Sequence, residues 1–381
     1  MQPVYFDHNS TTALKPEVLA QMMPWMSQQH GNPTSRHVFG RNARDAIEYA
    51  RGQVAKSVGV QTSQVVFTAS GTEANNFAIT GIAGNLEPSQ VLTSRIEHPC
   101  VSRPALALRS RGWQTNHIAV NANCQIDIVD LKRLLANPTG LVSIMLANNE
   151  TGALQDIAQL SALVKQHKAY LHTDAVQALG KVAVDFMELG VNAMTISSHK
   201  IGGPLGAGAL ILDKRVDIQP LLYGGGQEKG LRSGTENIAA IVGFGAACEL
   251  ATHNLAEKAK QYQALRRQLE TGLSKLNAVI FAQQAQRLPN TSFFAFPNIE
   301  GETLVTALDK QGFAVASGSA CSSDSGEPSH VLLAMGIEAD LARGAIRVSF
   351  VSENSSAQVD QFLHVLQQEV KRLKDMTAVA A

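Results

Sequence analysis

Lys200 lies three residues beyond an apolar run, Ala193-Met-Thr-Ile-Ser197, and Asp174 ends the run before it, Tyr170-Leu-His-Thr-Asp174. Burial penalises the charged form of an amine. It therefore favours the unprotonated lysine that attacks a carbonyl to form a Schiff base. A carboxylate one strand away supplies the partner that the ring nitrogen of pyridoxal phosphate (PLP) requires. Alone, Lys200 reads as a strand-end lysine reaching solvent, since charged side chains are mostly exposed. The pairing with Asp174 is what points to chemistry.

Other segments fit the same chemistry. In Val65-Val-Phe-Thr-Ala-Ser-Gly71-Thr72-Glu73, a strand, a glycine turn and a helix start offer free N–H groups and a hydroxyl to an anion. The sequence has neither a G-x-G-x-x-G fingerprint nor a Walker A loop. His98, in Glu97-His-Pro-Cys100, is placed to lie on an aromatic cofactor and exchange protons with a substrate. The amides of Asn148-Asn149 suit a phenolic oxygen or a substrate carboxylate. The glycine-dense run Gly224 to Thr235 permits close backbone approach, with the Thr235 hydroxyl in reach of a phosphate, including that of a neighbouring subunit. Ser317-Gly-Ser-Ala-Cys321-Ser-Ser-Asp-Ser-Gly326 surrounds one cysteine with small polar residues, the setting of an accessible thiol rather than a structural one. Arg347 stands alone as a cation in Gly344-Ala-Ile-Arg-Val-Ser-Phe350 and is suited to clamp a carboxylate, or to form a structural salt bridge.

The elements that must position these residues alternate. Strands are expected at Gln64–Thr68, Gln90–Ser94, Leu141–Ala147, Tyr170–Asp174, Ala193–Ser197 and Ala207–Leu212. Helices are expected at Asn75–Ala83, Pro99–Ser110 and Ile157–His167. This order predicts an α/β fold with a large, mostly parallel sheet whose chemistry lies at strand carboxyl ends. A long helical stretch, Asn237–Leu276, follows. After it come strands Thr291–Phe296, Phe313–Ser317 and Ala345–Phe350 with helices Glu302–Gln311 and Ser356–Lys374, a smaller α+β domain. The expected division is a large domain over 13–255, and a small domain of 1–12 plus 256–381 that carries the cysteine segment.

With 32 basic and 32 acidic side chains the formal net charge is zero, so no basic field points to nucleic acid. No signal peptide is read at the start, and no apolar run is long enough for a membrane span. The four cysteines are scattered without CxxC or zinc-like spacing, which gives no metal site and an expected cytoplasmic location with free thiols.

With these motifs in this order, the chain resembles the cysteine desulfurases of the NifS/IscS type, within the class V aminotransferase family and the type I PLP fold (aspartate-aminotransferase-like). The match runs from Tyr5-Phe-Asp-His-Asn-Ser-Thr-Thr12 through Arg347. Its most specific pieces are Gly31-Asn-Pro-Thr-Ser35, His172-Thr-Asp-Ala-Val-Gln177, Ser198-His-Lys200, Gly224 to Thr235, and Ser317-Gly-Ser-Ala-Cys321. The resemblance implies a Schiff base on Lys200, Asp174 on the pyridinium nitrogen, Gln177 on the phenolic oxygen and His98 stacked on the ring. It implies a phosphate held by Gly71, Thr72, Ser197 and His199, with Thr235 from the other subunit of a homodimer. Asn149 and Arg347 would receive the substrate carboxylate, and Cys321 would take sulfur from L-cysteine as a persulfide, releasing alanine.

The same resemblance implies a sulfur acceptor, an iron–sulfur scaffold or a sulfur carrier serving thiolated cofactors or tRNA. Rival readings are a selenocysteine lyase, another PLP-dependent lyase or aminotransferase, and a non-catalytic PLP- or sulfur-carrier-binding protein. Gly202 and Leu205 stand where some relatives carry tyrosine and lysine, and are expected to alter the pocket wall. The ending Thr377-Ala-Val-Ala-Ala lacks the longer tail of IscS-type relatives, so weaker or different docking of the acceptor is expected.

Overall fold

The computed structural model describes residues 3–318 and 327–380. After β1 (Val4–Tyr5), the chain builds seven strands of one sheet: β2 (Val65–Thr68), β3 (Gln90–Ser94), β4 (Gln114–Ile118), β5 (Thr139–Ser143), β6 (Tyr170–Asp174), β7 (Ala193–Ser197) and β8 (Gly208–Leu212). Their order is β2-β8-β7-β6-β5-β3-β4. Only β8 runs antiparallel to its neighbours. The pairings among β3 to β7 are parallel. β2, β3, β7 and β8 are buried along their whole length, as strands covered on both faces must be.

A smaller sheet follows from β9 (Val279–Ile280), β10 (Thr291–Ala295), β12 (Ala316–Ser317) and β13 (Ile346–Ser349), in the order β12-β13-β10-β9, while β11 (Phe313–Ala314) pairs with β1. Phe6, Phe313, Phe350 and Phe362 form the aromatic centre of its core, with ring centroids 5.2 Å apart for Phe6 and Phe350. A further cluster joins the two sheets, packing Ile96 and Met145 against Phe293, Val331 and Ala345.

Several expected elements change. β5 ends at Ser143, not Ala147. The Ile144 and Leu146 N–H groups still donate to the His172 and Asp174 carbonyls, but as irregular backbone entering the Asn148 turn. β4 was not expected from the sequence because Gln-Thr-Asn-His-Ile is polar, which an edge strand tolerates. The stretch Asn237–Leu276 is two helices, Ile238–Thr252 and Leu255–Lys275, turned by 73° at Asn254, whose φ is +53°. Phe313–Ser317 divides between two sheets at Val315. No single helix among the described residues is long and apolar enough to cross a membrane.

One buried residue, through its backbone and its side chain, ties both sheets together. The Asn9 N–H donates to Ser349 Oγ (2.9 Å) and its Nδ2 to Thr291 Oγ1 (2.9 Å), on β13 and β10. Its Oδ1 accepts from Lys181 Nζ (3.0 Å) and its carbonyl from Gln177 Nε2 (2.8 Å), on the segment after β6. Removing its side chain deletes four hydrogen bonds, to Asn149, Thr291, Lys181 and Asn290, each worth about 0.5–1.5 kcal/mol net. Asn9→Ala is therefore expected to lose about 3 kcal/mol of stability in denaturant unfolding of the intact protein. A variant as stable as wild type would show that these groups find other partners.

Candidate functional site

The carboxyl ends of β2, β3, β5, β6 and β7 open on one cavity of about 340 Å³. Its wall contains Gly71 and Thr72, His98, Asn149, Asp174 and Gln177, Ser197, His199 and Lys200, and Arg347. Thus nine of the positions expected from the strand-end motifs, and Arg347 from the small sheet, converge. Thr235 does not. It is exposed on the glycine-dense segment, which is itself held in place by Arg232 Nε donating to Glu73 (2.7 Å) and by the buried, bidentate Arg51–Glu228 pair. Cys321 lies outside the described residues.

Lys200 sits on the 3₁₀ turn Ser198–Lys200 that terminates β7. Its Nζ donates to the carbonyls of Asn9 (2.7 Å) and Ser10 (2.6 Å), which orient the amine. Asp174 ends β6 with its carboxylate fully enclosed. Oδ1 accepts the Val176 N–H (2.9 Å) and Oδ2 accepts Asn75 Nδ2 (2.7 Å). Burial raises its pKa, against these hydrogen bonds and the charges of His98 and Lys200. Because the amide partners are neutral, this carboxylate is suited to a cationic ring nitrogen.

His98 caps the helix Pro99–Ala107, its Nδ1 accepting the Cys100 N–H. Burial lowers its pKa, with Lys200, His330 and Arg103 adding to the fall and Asp174 opposing it. At the opposite side, the helix Gly71–Gly84 begins after Ser70, whose Oγ accepts the Glu73 N–H. A Cβ on Gly71 would stand 3.0 Å from Val176 and 3.2 Å from Ser197 Cβ, so the close approach of three segments requires glycine. Ser197 Oγ is buried with no partner among the described residues, a hydroxyl directed at this helix start. His199, pushed down to about 4 by burial and by Lys200, is a neutral donor beside it. An unpartnered hydroxyl, a helix amino end and a neutral imidazole fit a phosphate. With the buried Asp174 across the cavity, the residues present fit PLP.

Gln177 is oriented by a residue that sequence reasoning missed. Lys181 Nζ donates to Gln177 Oε1 (2.6 Å), and since the Asn9 carbonyl on the other side only accepts, the Gln177 amide nitrogen must face Asn9. One of its N–H groups meets the Asn9 carbonyl, leaving the second for the cavity. Lys181 is itself enclosed, its pKa held well below the usual lysine value by burial and by Lys200 and Arg347. Arg347 donates to Asp7 Oδ1 (2.7 Å), Ser10 Oγ (2.7 Å) and the Asn149 carbonyl (3.0 Å), while its buried Nε has no partner among the described residues. Arg347 is thus in a salt bridge with Asp7 and also lines the cavity.

Asn9, Asn75, Cys100 and Lys181 also belong to the site, and no motif had singled them out. The polar run Asp7-His-Asn-Ser-Thr-Thr12 after an apolar strand, and Lys181 four residues beyond Gln177, were the available signals. Gly202 and Leu205 do not form the pocket wall. Leu205 is 75% exposed, and Gly202, at φ +81°, packs against Lys15.

Residues 4–362 match the class V aminotransferase family. The chain is 40% identical over 380 residues to the cysteine desulfurase IscS of Dictyoglomus turgidum, covering 98% of this chain and 96% of that one. A solved NifS-like protein superposes with a TM-score of 0.92 at 37% identity, over 97% of this chain and all of the other. SspA, solved in complex with cysteine, superposes with a TM-score of 0.80 at 30% identity, over 92% and 99% of the two chains. The chain belongs to the class V aminotransferase family, as a PLP-dependent cysteine desulfurase of the NifS/IscS type.

Proposed function

We propose that Lys200 anchors the cofactor, Asp174 holds its ring nitrogen protonated, and His98 lies on the ring and carries protons to and from the substrate. The observation that carries this assignment is the enclosure of the Asp174 carboxylate among neutral amides, across one cavity from Lys200 and the Gly71 helix start. When bound, PLP draws electrons away from the substrate Cα, a service no side chain provides. Gly71, Thr72, Ser197 and His199 hold the phosphate. Gln177, turned by Lys181, donates to the phenolic oxygen. Asn149 and Arg347 receive the substrate carboxylate.

Cys321 is our choice for the sulfur acceptor. Cys100, Cys124 and Cys248 are buried, and burial pushes each thiol up to about 12, so none of the three supplies a thiolate at neutral pH. The described ends of the Cys321 segment are both tied beside the cavity. Gly318 N–H donates to the Ala345 carbonyl, Ser329 Oγ donates to Glu150 next to Asn149, and His330 Nε2 lies 3.1 Å from the Glu97 carbonyl next to His98. In the step we assign, the Cys321 thiolate attacks the substrate sulfur, the C–S bond breaks with its electron pair left on the carbon side, and protonation at Cβ with return of a proton to Cα yields alanine and an enzyme persulfide. L-cysteine plus thiol thus gives L-alanine plus persulfide, with no external oxidant.

We further propose a large unit over 13–255 and a small unit of 1–12 plus 256–381, consistent with Phe6 packing in the small-sheet core. A homodimer would bring Thr235 to the partner's phosphate, a reading supported by its exposure and by Tyr223, 81% exposed on the same segment. Delivery of the sulfur to an iron–sulfur scaffold or sulfur carrier in the cytoplasm completes the proposal, the buried reduced thiols fitting a reducing compartment.

Three variants test these roles. Lys200→Ala should retain no cofactor after borohydride reduction and denaturing purification. Attached cofactor in that variant would identify another lysine as the anchor. Asp174→Asn should bind PLP yet lose at least about a hundredfold in turnover, of the order that general acid–base groups contribute. Near-normal alanine formation would remove Asp174 from its role. Cys321→Ala should bind L-cysteine but form almost no alanine from it, measured per PLP. Undiminished alanine would sink the persulfide step and leave a lyase that needs no thiol.

A further inference from the structure

Cys100 has no role in the reaction above, yet its thiol sits between two groups that do. Sγ lies 2.9 Å from His98 Nδ1 and accepts from Asn75 Nδ2 at 3.1 Å. The same Asn75 nitrogen donates to Asp174 Oδ2 at 2.7 Å. The Cys100 backbone N–H also meets His98 Nδ1, at 3.2 Å. These partners settle where the protons are. A backbone N–H only donates, so Nδ1 must be bare and accept. The Asn75 amide presents N–H to sulfur, so the thiol proton is free to point at Nδ1. A continuous chain then runs Asp174, Asn75, Cys100, His98.

We propose that Cys100 is a positioning residue for His98: its S–H donates to Nδ1, holding the imidazole neutral with its proton on Nε2 and linking it through Asn75 to Asp174. The consequence for catalysis rests on His98 being the proton carrier; the hydrogen-bond assignment does not. The thiol stays protonated through the working pH range, since burial and the negative charge of Asp174 push it up to about 12. The charged and titratable groups facing His98 are Asp174, which favours imidazolium, and Lys200, His330 and Arg103, which oppose it. Protonating Nδ1 would set its N–H against the Cys100 backbone N–H. The thiol donor favours the neutral ring in the same direction, so its loss should move the His98 midpoint upward.

The test is ¹⁵N spectroscopy of histidine-labelled holoenzyme across pH, with His98 assigned from a His98→Gln variant. Wild type should show an unprotonated Nδ1 and protonated Nε2. Cys100→Val, which fills the space without a donor, should raise the His98 midpoint by about half a unit or more, the effect of one net hydrogen bond. Cys100→Ala provides the same comparison if valine is not accommodated. Cys100→Ser, which restores a donor and an acceptor, should return the midpoint toward wild type, and the acid limb of the kcat profile should move with it. An unchanged midpoint in the valine or alanine variant overturns the proposal, as does a serine variant that behaves like valine. His98→Gln with intact turnover would instead remove the catalytic reading of His98, leaving the nitrogen shifts to decide the positioning.

Discussion

Polar groups gathered at the strand ends need partners away from water, and Asn9 supplies several of them at once. It is 1% exposed, and its backbone and side chain meet Ser349, Thr291, Asn290, Asn149, Gln177, Lys181 and Lys200. An unmade hydrogen bond in such a place costs more than a made one contributes. The site is therefore rigid for the same reason that the two sheets are joined. The N-terminal segment, which forms only a two-residue strand, has an influence far beyond its length.

Buried charge is the second organising fact. Asp174, Glu97 and Glu150 are enclosed carboxyl groups whose pKa values rise through burial, that of Glu97 to about 8. Lys181 and His172 are enclosed bases and His199 a half-buried one, and their pKa values fall, those of the imidazoles to about 3 and about 4. His172 shows how a core accommodates this. Nδ1 meets Ser143 Oγ at 2.8 Å and Nε2 meets Thr195 Oγ1 at 3.0 Å, so a neutral ring fastens β6 to β5 and β7. The motif His172-Thr-Asp174 is thus half structural and half functional, one side chain bracing the sheet and the next but one facing the cavity.

The parallel architecture explains where the cavity lies. Strands running in one direction put their carboxyl ends, and the amino ends of the helices that follow, on the same edge. β2 delivers the Gly71 helix, β3 delivers His98, β6 delivers Asp174 and β7 delivers Lys200. The small sheet then closes the side of the cavity with Arg347 on β13, and Ala316 of β12 pairs with Arg347 in register.

The sequence by itself determined the fold class, because alternating apolar runs and helical patterns around Val65–Leu212 are local signals that survive without any knowledge of packing. It also drew attention to Lys200, Asp174, His98 and Gly71, since each stands at or just beyond the end of an apolar run, and folding brings all four to one cavity. What it did not contain was partnership. Asn75, Cys100 and Lys181 look ordinary along the chain, and they matter because folding sets Asn75 against Asp174, the Cys100 thiol against His98, and Lys181 against Gln177. The polar edge strand β4, the 73° bend at Asn254 and the division of Phe313–Ser317 were likewise decided by the neighbours available to each backbone. Residue type and periodicity are written in covalent order, whereas burial and hydrogen-bond pairing between distant segments exist only once the tertiary structure has excluded water from between them.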